Sequence, residues 1–333
     1  MKKILNDPFA YADETLEGMT LAFPRHYAFA AESRRVIVRP SGAIRGKVGI
    51  VTGGGSGHLP VFAGYVGAGL LDACAVGDVF ASPSADEMAI AMRAANGGRG
   101  VLRLYGNYGG DVMNFDLAGE IVEMDNIEST TVLLADDVAS APRAEREKRR
   151  GVAGMVYAFK IAGASAARGD DLAAVTRLAQ KTADSVLSMA VALSPCTVPQ
   201  AGKPTFEIGE IEMEIGMGIH GEPGVTRGPL APADSIADSL LDPILAEQGP
   251  GKGSRVSILL NSLGATPAEE LFILYRRLAS RLAEAGVTIV RPLVGRYATS
   301  MEMSGVSLSV LRLDDELEPL LAAPADCAFW TVA

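Results

Sequence analysis

The chain has 333 residues, of which 48% are hydrophobic and 21% charged. That length suits about two domains of ordinary size, and the composition excludes an intrinsically disordered chain. With 30 basic and 40 acidic residues the formal charge is −10, a field that repels nucleic acid and anionic lipid and argues against both as partners.

The N-terminus runs from Met1-Lys2-Lys3 straight into Asn6, Asp7 and Pro8, with no apolar signal core. The longest uncharged stretch, residues 185–202, contains two prolines with Ser, Thr and Gln. It reads as a buried helix and loop, not a bilayer span, so a soluble cytoplasmic protein is expected. Cys74, Cys196 and Cys327 are odd in number, far apart and without zinc-ligand spacing. They read as small buried residues in a reducing compartment, and no metal site is expected from them.

Along the chain, short aliphatic runs lead into glycine-rich or acidic turns. Residues 48–52 predict a strand ending in Gly53-Gly-Gly-Ser-Gly-His58, and residues 100–105 a strand ending in Gly106-Asn-Tyr-Gly-Gly-Asp111. Residues 130–134 predict a strand ending in Asp136-Asp137. Open α/β sheets bind ligands at such C-terminal strand ends. Helical character follows over residues 149–193, and a domain boundary is placed near 190, giving domains 1–190 and 191–333. Residues 248–254, Gln-Gly-Pro-Gly-Lys-Gly-Ser, read as a flexible connector.

The clearest unit is residues 255–291. A strand over 256–260 is followed by Thr266-Pro-Ala-Glu269, which reads as a capping box with proline at the first helical position. Leu271, Leu274, Tyr275, Leu278 and Leu282 then form one helical stripe, Gly286 stops the helix, and 287–290 give the next strand. This β-α-β pattern sets the fold class: α/β, with two α/β domains, each a mixed sheet flanked by helices.

Of the three histidines, His26 beside Arg25 and Tyr27 reads as structural or superficial. His58 ends GGGSGH, and His220 sits within Gly216-Met-Gly-Ile-His-Gly-Glu-Pro-Gly224. Glycine on both sides of a histidine is costly in a regular element and suits a side chain standing on a tight turn. GGGSGH could cradle an anion, but no GxxxxGK[ST] or correctly spaced GxGxxG occurs, so no nucleotide site is expected on this chain. Asp111 reads equally as a helix cap or as a general base for a hydroxyl. Asp136-Asp137 reads as a solvated turn, with metal binding as the sharper alternative.

GGGSGH, Asn107-Tyr108…Gly110-Asp111…Asn114-Phe115 and the turn 216–224 occur in that order. With them stand Ala81-Ser-Pro-Ser84, Arg149-Arg-Gly-Val-Ala153, residues 196–204 (Cys-Thr-Val-Pro-Gln-Ala-Gly-Lys-Pro) and residues 261–267 (Asn-Ser-Leu-Gly-Ala-Thr-Pro). Over residues 5–330 the chain resembles the dihydroxyacetone kinase K subunit. The resemblance implies a two-domain homodimer that holds a short ketose as a hemiaminal on the histidine matching His220. It implies that His58 and Asp111 contact the substrate hydroxyls, with Asp111 as base and His58 shuttling the proton. The amides of Gly54, Gly55, Ser56 and Gly57 would complete the pocket. ATP or ADP with magnesium would lie on a separate nucleotide-binding L subunit. One position departs: the family's best-known members have a lysine before Asn-Tyr, and here it is Gly106, which opens the choice of ketose toward erythrulose.

A ketone is a natural electrophile for a neutral imidazole, and glycerol, lacking a carbonyl, would be rejected. The competing reading is a ketose-binding sensor on the same scaffold, which needs the histidine but not the base. An isomerase using acid and base residues on loops is a weaker third.

Overall fold

Two features of the sequence dictate the architecture: apolar runs too short for buried helices, and amphipathic stripes of helical period between them. A computed structural model of the chain describes residues 2–248 and 250–333. These divide into two units, one formed by residues 2–134, 155–183 and 317–333 and the other by 135–154 and 184–316.

The first unit begins with α1 (Tyr11–Ala22), β1 (Ala28–Ala30), β2 (Ser33–Val38), β3 (Gly49–Ser56), β4 (Ala73–Val79) and α2 (Ala85–Ala95). It continues with β5 (Val101–Gly106), α3 (Gly109–Glu123), β6 (Ser129–Leu134), α4 (Met155–Ala167) and α5 (Leu172–Ser185). Its sheet has the order β1-β2-β4-β3-β5-β6. Strands β4, β3, β5 and β6 run parallel, while β2 pairs antiparallel with β4 and β1 with β2. Val51, Ala73, Val101 and Tyr105 of the sheet bury against Met88 and Met92 of α2 and Phe115 and Val122 of α3. A Ser84–Glu87 capping box starts α2. The chain winds from β3 to β4 on one side and then returns to β5 on the other. That reversal opens a crevice beyond the C-terminal ends of these strands.

The second unit holds β7 (Val186–Ser194), β8 (Glu212–Ile215), β9 (Thr226–Pro229), α6 (Ala233–Gln248), β10 (Arg255–Ser262) and α7 (Ala268–Glu284). Then come β11 (Thr288–Ile289), β12 (Leu293–Gly295) and β13 (Ser304–Leu313). The sheet order is β11-β10-β13-β7-β8-β9, with β12 also beside β10. Only the β10 pairings with β11 and β12 are parallel, so this sheet too is mixed. Leu240, Leu241 and Ile244 of α6 and Leu271, Leu274, Leu278 and Leu282 of α7 cover Val191, Ile258 and Leu308. The tail, α8 (Leu317–Ala322) with the hairpin β14 (Ala325–Cys327) and β15 (Trp330–Val332), belongs to the first unit.

The β-α-β reading of 255–291 holds, and both units are α/β. The single boundary at 190 does not survive: it falls inside β7, whose partners are β13 and β8. Residues 186–193 are strand, not helix; a short uncharged run carries no periodicity that separates the two. The chain passes between units at four ordinary-looking junctions, with no shift in composition to mark them. The connector predicted at 248–254 includes Gly249, which lies outside the described residues; Pro250–Ser254 leads from α6 to β10 within one unit. The capping box at Thr266 is also corrected. Helix α7 starts at Ala268, Pro267 is its N-cap, and the Thr266 hydroxyl donates to the Gly305 carbonyl at 2.7 Å.

Candidate functional site

Strands β3, β4 and β5 deliver the first cluster of candidate residues. GGGS is not a loop: β3 continues through Ser56, with Gly53, Gly54 and Gly55 in register with Ala75, Val76 and Gly77 of β4. What the missing side chains make room for is an aromatic ring at Gly54 and the chain itself at Gly55. A Cβ on Gly54 would lie 2.3 Å from the Phe62 ring, and one on Gly55 2.8 Å from the Phe80 backbone. Gly57, at φ 101°, turns the chain out of the strand into His58.

His58 is 1% exposed. Its ring stacks on Phe80 with centroids 4.7 Å apart and meets Phe62 edge-on at 6.0 Å. Both phenylalanines sit at positive φ, 58° and 72°, a conformation that costs a non-glycine residue about 1–3 kcal/mol. Strain of this kind, concentrated on the two rings that fix one histidine, marks a built site.

Asp111 lies in the first turn of α3 and is buried. It is not at the N-cap, which is Tyr108. Its carboxylate accepts a hydrogen bond from the Ser82 hydroxyl, and Asn114 one turn later donates to the Pro83 carbonyl at 2.8 Å. Gly110 would carry a Cβ 3.2 Å from that of Ser82, so glycine lets the α3 N-terminus close on the 81–84 segment. Gly106 is the last residue of β5. Arg103, a candidate to fill the space of the family's lysine, is committed elsewhere: its guanidinium donates to the Phe115 carbonyl at 2.7 Å and lies 3.7 Å from Asp116. His26 is peripheral, 3.3 Å from Asp326.

The second unit carries His220. Gly216 and Gly221, at φ 84° and 89°, shape its turn. Nδ1 lies 2.9 Å from a Glu222 carboxylate oxygen, and the other oxygen accepts from the His220 backbone N–H. Burial pushes the Glu222 pKa up, but the hydrogen bond and charge of His220, with Arg150 behind, hold it at about 2. Glu222 is therefore an ionised acceptor near neutrality, and Nδ1 must be the donor. The lone pair of a neutral ring then sits on Nε2.

Asp136 and Asp137 are not a solvated turn. Asp136 is fully buried and accepts from the Val152 and Gly154 amides at 2.9 and 2.8 Å and from the Ser188 hydroxyl. Asp137 pairs with Arg150 at 2.7 Å; burial raises its pKa to about 6 against the pull of that arginine. Arg149 likewise forks onto Glu247 at 2.7 and 2.6 Å. The basic run around residue 149 is internal ion pairing. Among the described residues, no group of three His, Cys, Asp or Glu is placed to hold a metal ion.

Sequence reasoning named His58, Asp111 and His220 but gave no role to Ser82, Glu222, Arg150 or the two phenylalanines. Glu222 was legible as a carboxylate two residues from a flanked histidine; Arg150 and the phenylalanines act across distances no local pattern encodes.

The Dak1 domain family matches residues 17–329. This chain belongs to it. It is 45% identical to the dihydroxyacetone-binding subunit of a PTS-dependent dihydroxyacetone kinase from Listeria innocua, over the full length of both. It is 43% identical to a D-erythrulose kinase from Mycolicibacterium smegmatis, covering 98% of this chain and 56% of that one. Among solved structures, the C. freundii dihydroxyacetone kinase in complex with AMP-PNP and Mg2+ aligns with a TM-score of 0.90 at 31% identity, covering 99% of this chain and 61% of that one. A dihydroxyacetone kinase operon co-activator aligns at 0.88 and 29% identity, covering 96% and 98%. No helix among the described residues is long and apolar enough to cross a membrane.

Proposed function

We propose that this chain is the ketose-binding subunit of a short-chain ketose kinase. It would take dihydroxyacetone or erythrulose and work with a nucleotide-binding L subunit as a cytoplasmic homodimer. The observation that carries the reading is the Glu222–His220 pair, which makes Nε2 a nucleophile.

In the proposed reaction Nε2 adds to the ketone carbon, the C–O π electrons move to oxygen, and the ring becomes cationic. Glu222 stabilises that cation through Nδ1–H, and the alkoxide takes a proton relayed by His58. Nδ1 then gives its proton to solvent by way of Glu222 and His58 regains one from solvent, so that one proton leaves the ring, one reaches oxygen and the hemiaminal is neutral. The bond fixes the terminal hydroxyl for in-line transfer. Asp111, oriented by Ser82, accepts the hydroxyl proton as that oxygen attacks the phosphoryl group. Gly54, Gly55, Ser56 and Gly57 would then shape the His58 side of the pocket, and Gly106 would leave room for a fourth carbon.

A sensing role comes from the likeness to the co-activator. The buried, serine-tethered Asp111 favours transfer, because holding a ketose requires no base. Full-length protein with [2-13C]dihydroxyacetone should convert the carbonyl resonance to a tetrahedral one, and His220→Gln should abolish it. Turnover with an L subunit then separates kinase from sensor. An unchanged carbonyl signal at saturating protein would defeat the proposal.

A further inference from the structure

Resting on the reading of His220 as the covalent residue, we propose that Arg150 is its positioning residue: the guanidinium, held by Asp137 and Gly216, places its charge beside Glu222 so that the imidazole is held in the Nδ1–H form. One planar fork reaches three partners. Nε and Nη2 grip the Asp137 carboxylate at 2.9 and 2.7 Å, Nη2 also donates to the Gly216 carbonyl at 3.0 Å, and Nη1 stands 3.9 Å from Glu222. Gly216 opens the His220 turn, and Glu222 is the residue that orients the ring. The same group therefore fixes the entry of the turn and its charge.

The backbone has been cleared for this contact. A Cβ on Gly218 would lie 2.1 Å from Glu222 Oε2 and 2.5 Å from Arg150 Nη1, so the turn rests against both side chains at once. Asp137 is itself immobilised: it is 3% exposed, and its second oxygen accepts from the Ala139 amide at 3.1 Å. The fork is thus anchored to a rigid buried carboxylate and sets its positive charge 3.9 Å from the carboxylate that touches His220. Lysine could supply the charge here but not the planar geometry. A second anchor of the same turn provides a contrast. Arg227 pairs with Glu214 at 2.6 Å, and Glu214 accepts from the Gly224 amide at 2.7 Å.

The test uses the full chain with 15N-labelled histidine, whose three imidazoles are distinguished by the loss of one set of signals in His220→Gln. Removing Arg150 alone strands Asp137, so the variant is Arg150→Met with Asp137→Asn, which removes both charges together. We expect His220 to lose its Nδ1–H preference and ketose affinity to fall about tenfold. Arg150→Lys should recover part of each, and the matched control, Arg227→Met with Glu214→Gln, should keep the parent's ring state. An unchanged ring state in the Arg150/Asp137 double variant, or an equal change in the Arg227/Glu214 control, overturns the inference. A parent that forms no hemiaminal defeats the functional reading instead, and the ring-state comparison still judges Arg150.

Discussion

Placing an alanine at position 218 probes the His220 turn with a single methyl group. Gly218 does not occupy the left-handed region, so alanine fits its backbone; the only obstruction is the pair of side-chain ends at 2.1 and 2.5 Å. Ordinary contact begins near 3.4 Å, so Glu222 Oε2, which accepts from the His220 backbone N–H, must retreat by more than about 1 Å; the carboxylate moves as one group, so Oε1 is carried from its place 2.9 Å from Nδ1 past hydrogen-bonding range. A charge-assisted bond of this kind is worth about 1.5–3 kcal/mol. With a third of the Glu222 side chain exposed, solvent screening brings the expected loss to about 1–2 kcal/mol, or roughly 5–30-fold in ketose affinity. Stability should change little, because both displaced atoms end flexible side chains and alanine offsets part of the strain by restricting the unfolded chain. Calorimetric ketose titration beside a thermal melt reads both quantities. Affinity within twofold of the parent, or lost only together with the fold, would refute the argument.

Asp111→Asn should leave ketose binding within a few-fold while phosphoryl transfer falls by about 10²–10⁴, measured as Kd against kcat with an L subunit. Gly54→Ala drives a methyl into the Phe62 ring, 2.3 Å away; denaturant titration should show a loss of about 1–3 kcal/mol. Gly106→Lys should move the kcat/KM ratio for dihydroxyacetone over erythrulose up by about tenfold if position 106 sets the substrate's length. Asp137 has a folded pKa of about 6, raised from 3.8, so its contribution is fully present below pH 3.8 and is lost as pH rises through 6. Asp137→Asn should flatten that stretch of the stability–pH curve in chemical denaturation.

Much of the first unit was legible because its strands end where polarity and glycine abruptly begin: residues 48–52, 100–105 and 130–134 each match a parallel strand. The β10-α7 pair was equally plain from its leucine stripe. The discontinuous units were not legible, since residues 135–154 and the tail after 316 are assigned by packing and carry no mark in composition. The same limit explains GGGS. Glycines in a row suggest an open loop, but here they are strand positions shaved to admit the Phe62 ring at Gly54 and the Phe80–Ala81 backbone at Gly55, approaches that no spacing rule anticipates. Asp136-Asp137 failed for a related reason. Adjacent carboxylates look solvated until their partners, Ser188 and Arg150, arrive from 52 and 13 residues away.

The two candidate histidines have different neighbours, and the difference follows their proposed tasks. His58 packs against two strained phenylalanines, which set the plane of its ring. A group that must take up and release a proton within one reaction needs a fixed ring plane, and the aromatic contacts supply that. His220 is fixed by charge: a carboxylate at 2.9 Å selects one nitrogen for the proton and leaves the other to form a bond. A group that must become cationic during addition gains from a carboxylate already ionised and already tethered, because no reorganisation is needed as the charge develops. Aromatic rings in the place of Glu222 would leave the addition cation on His220 uncompensated.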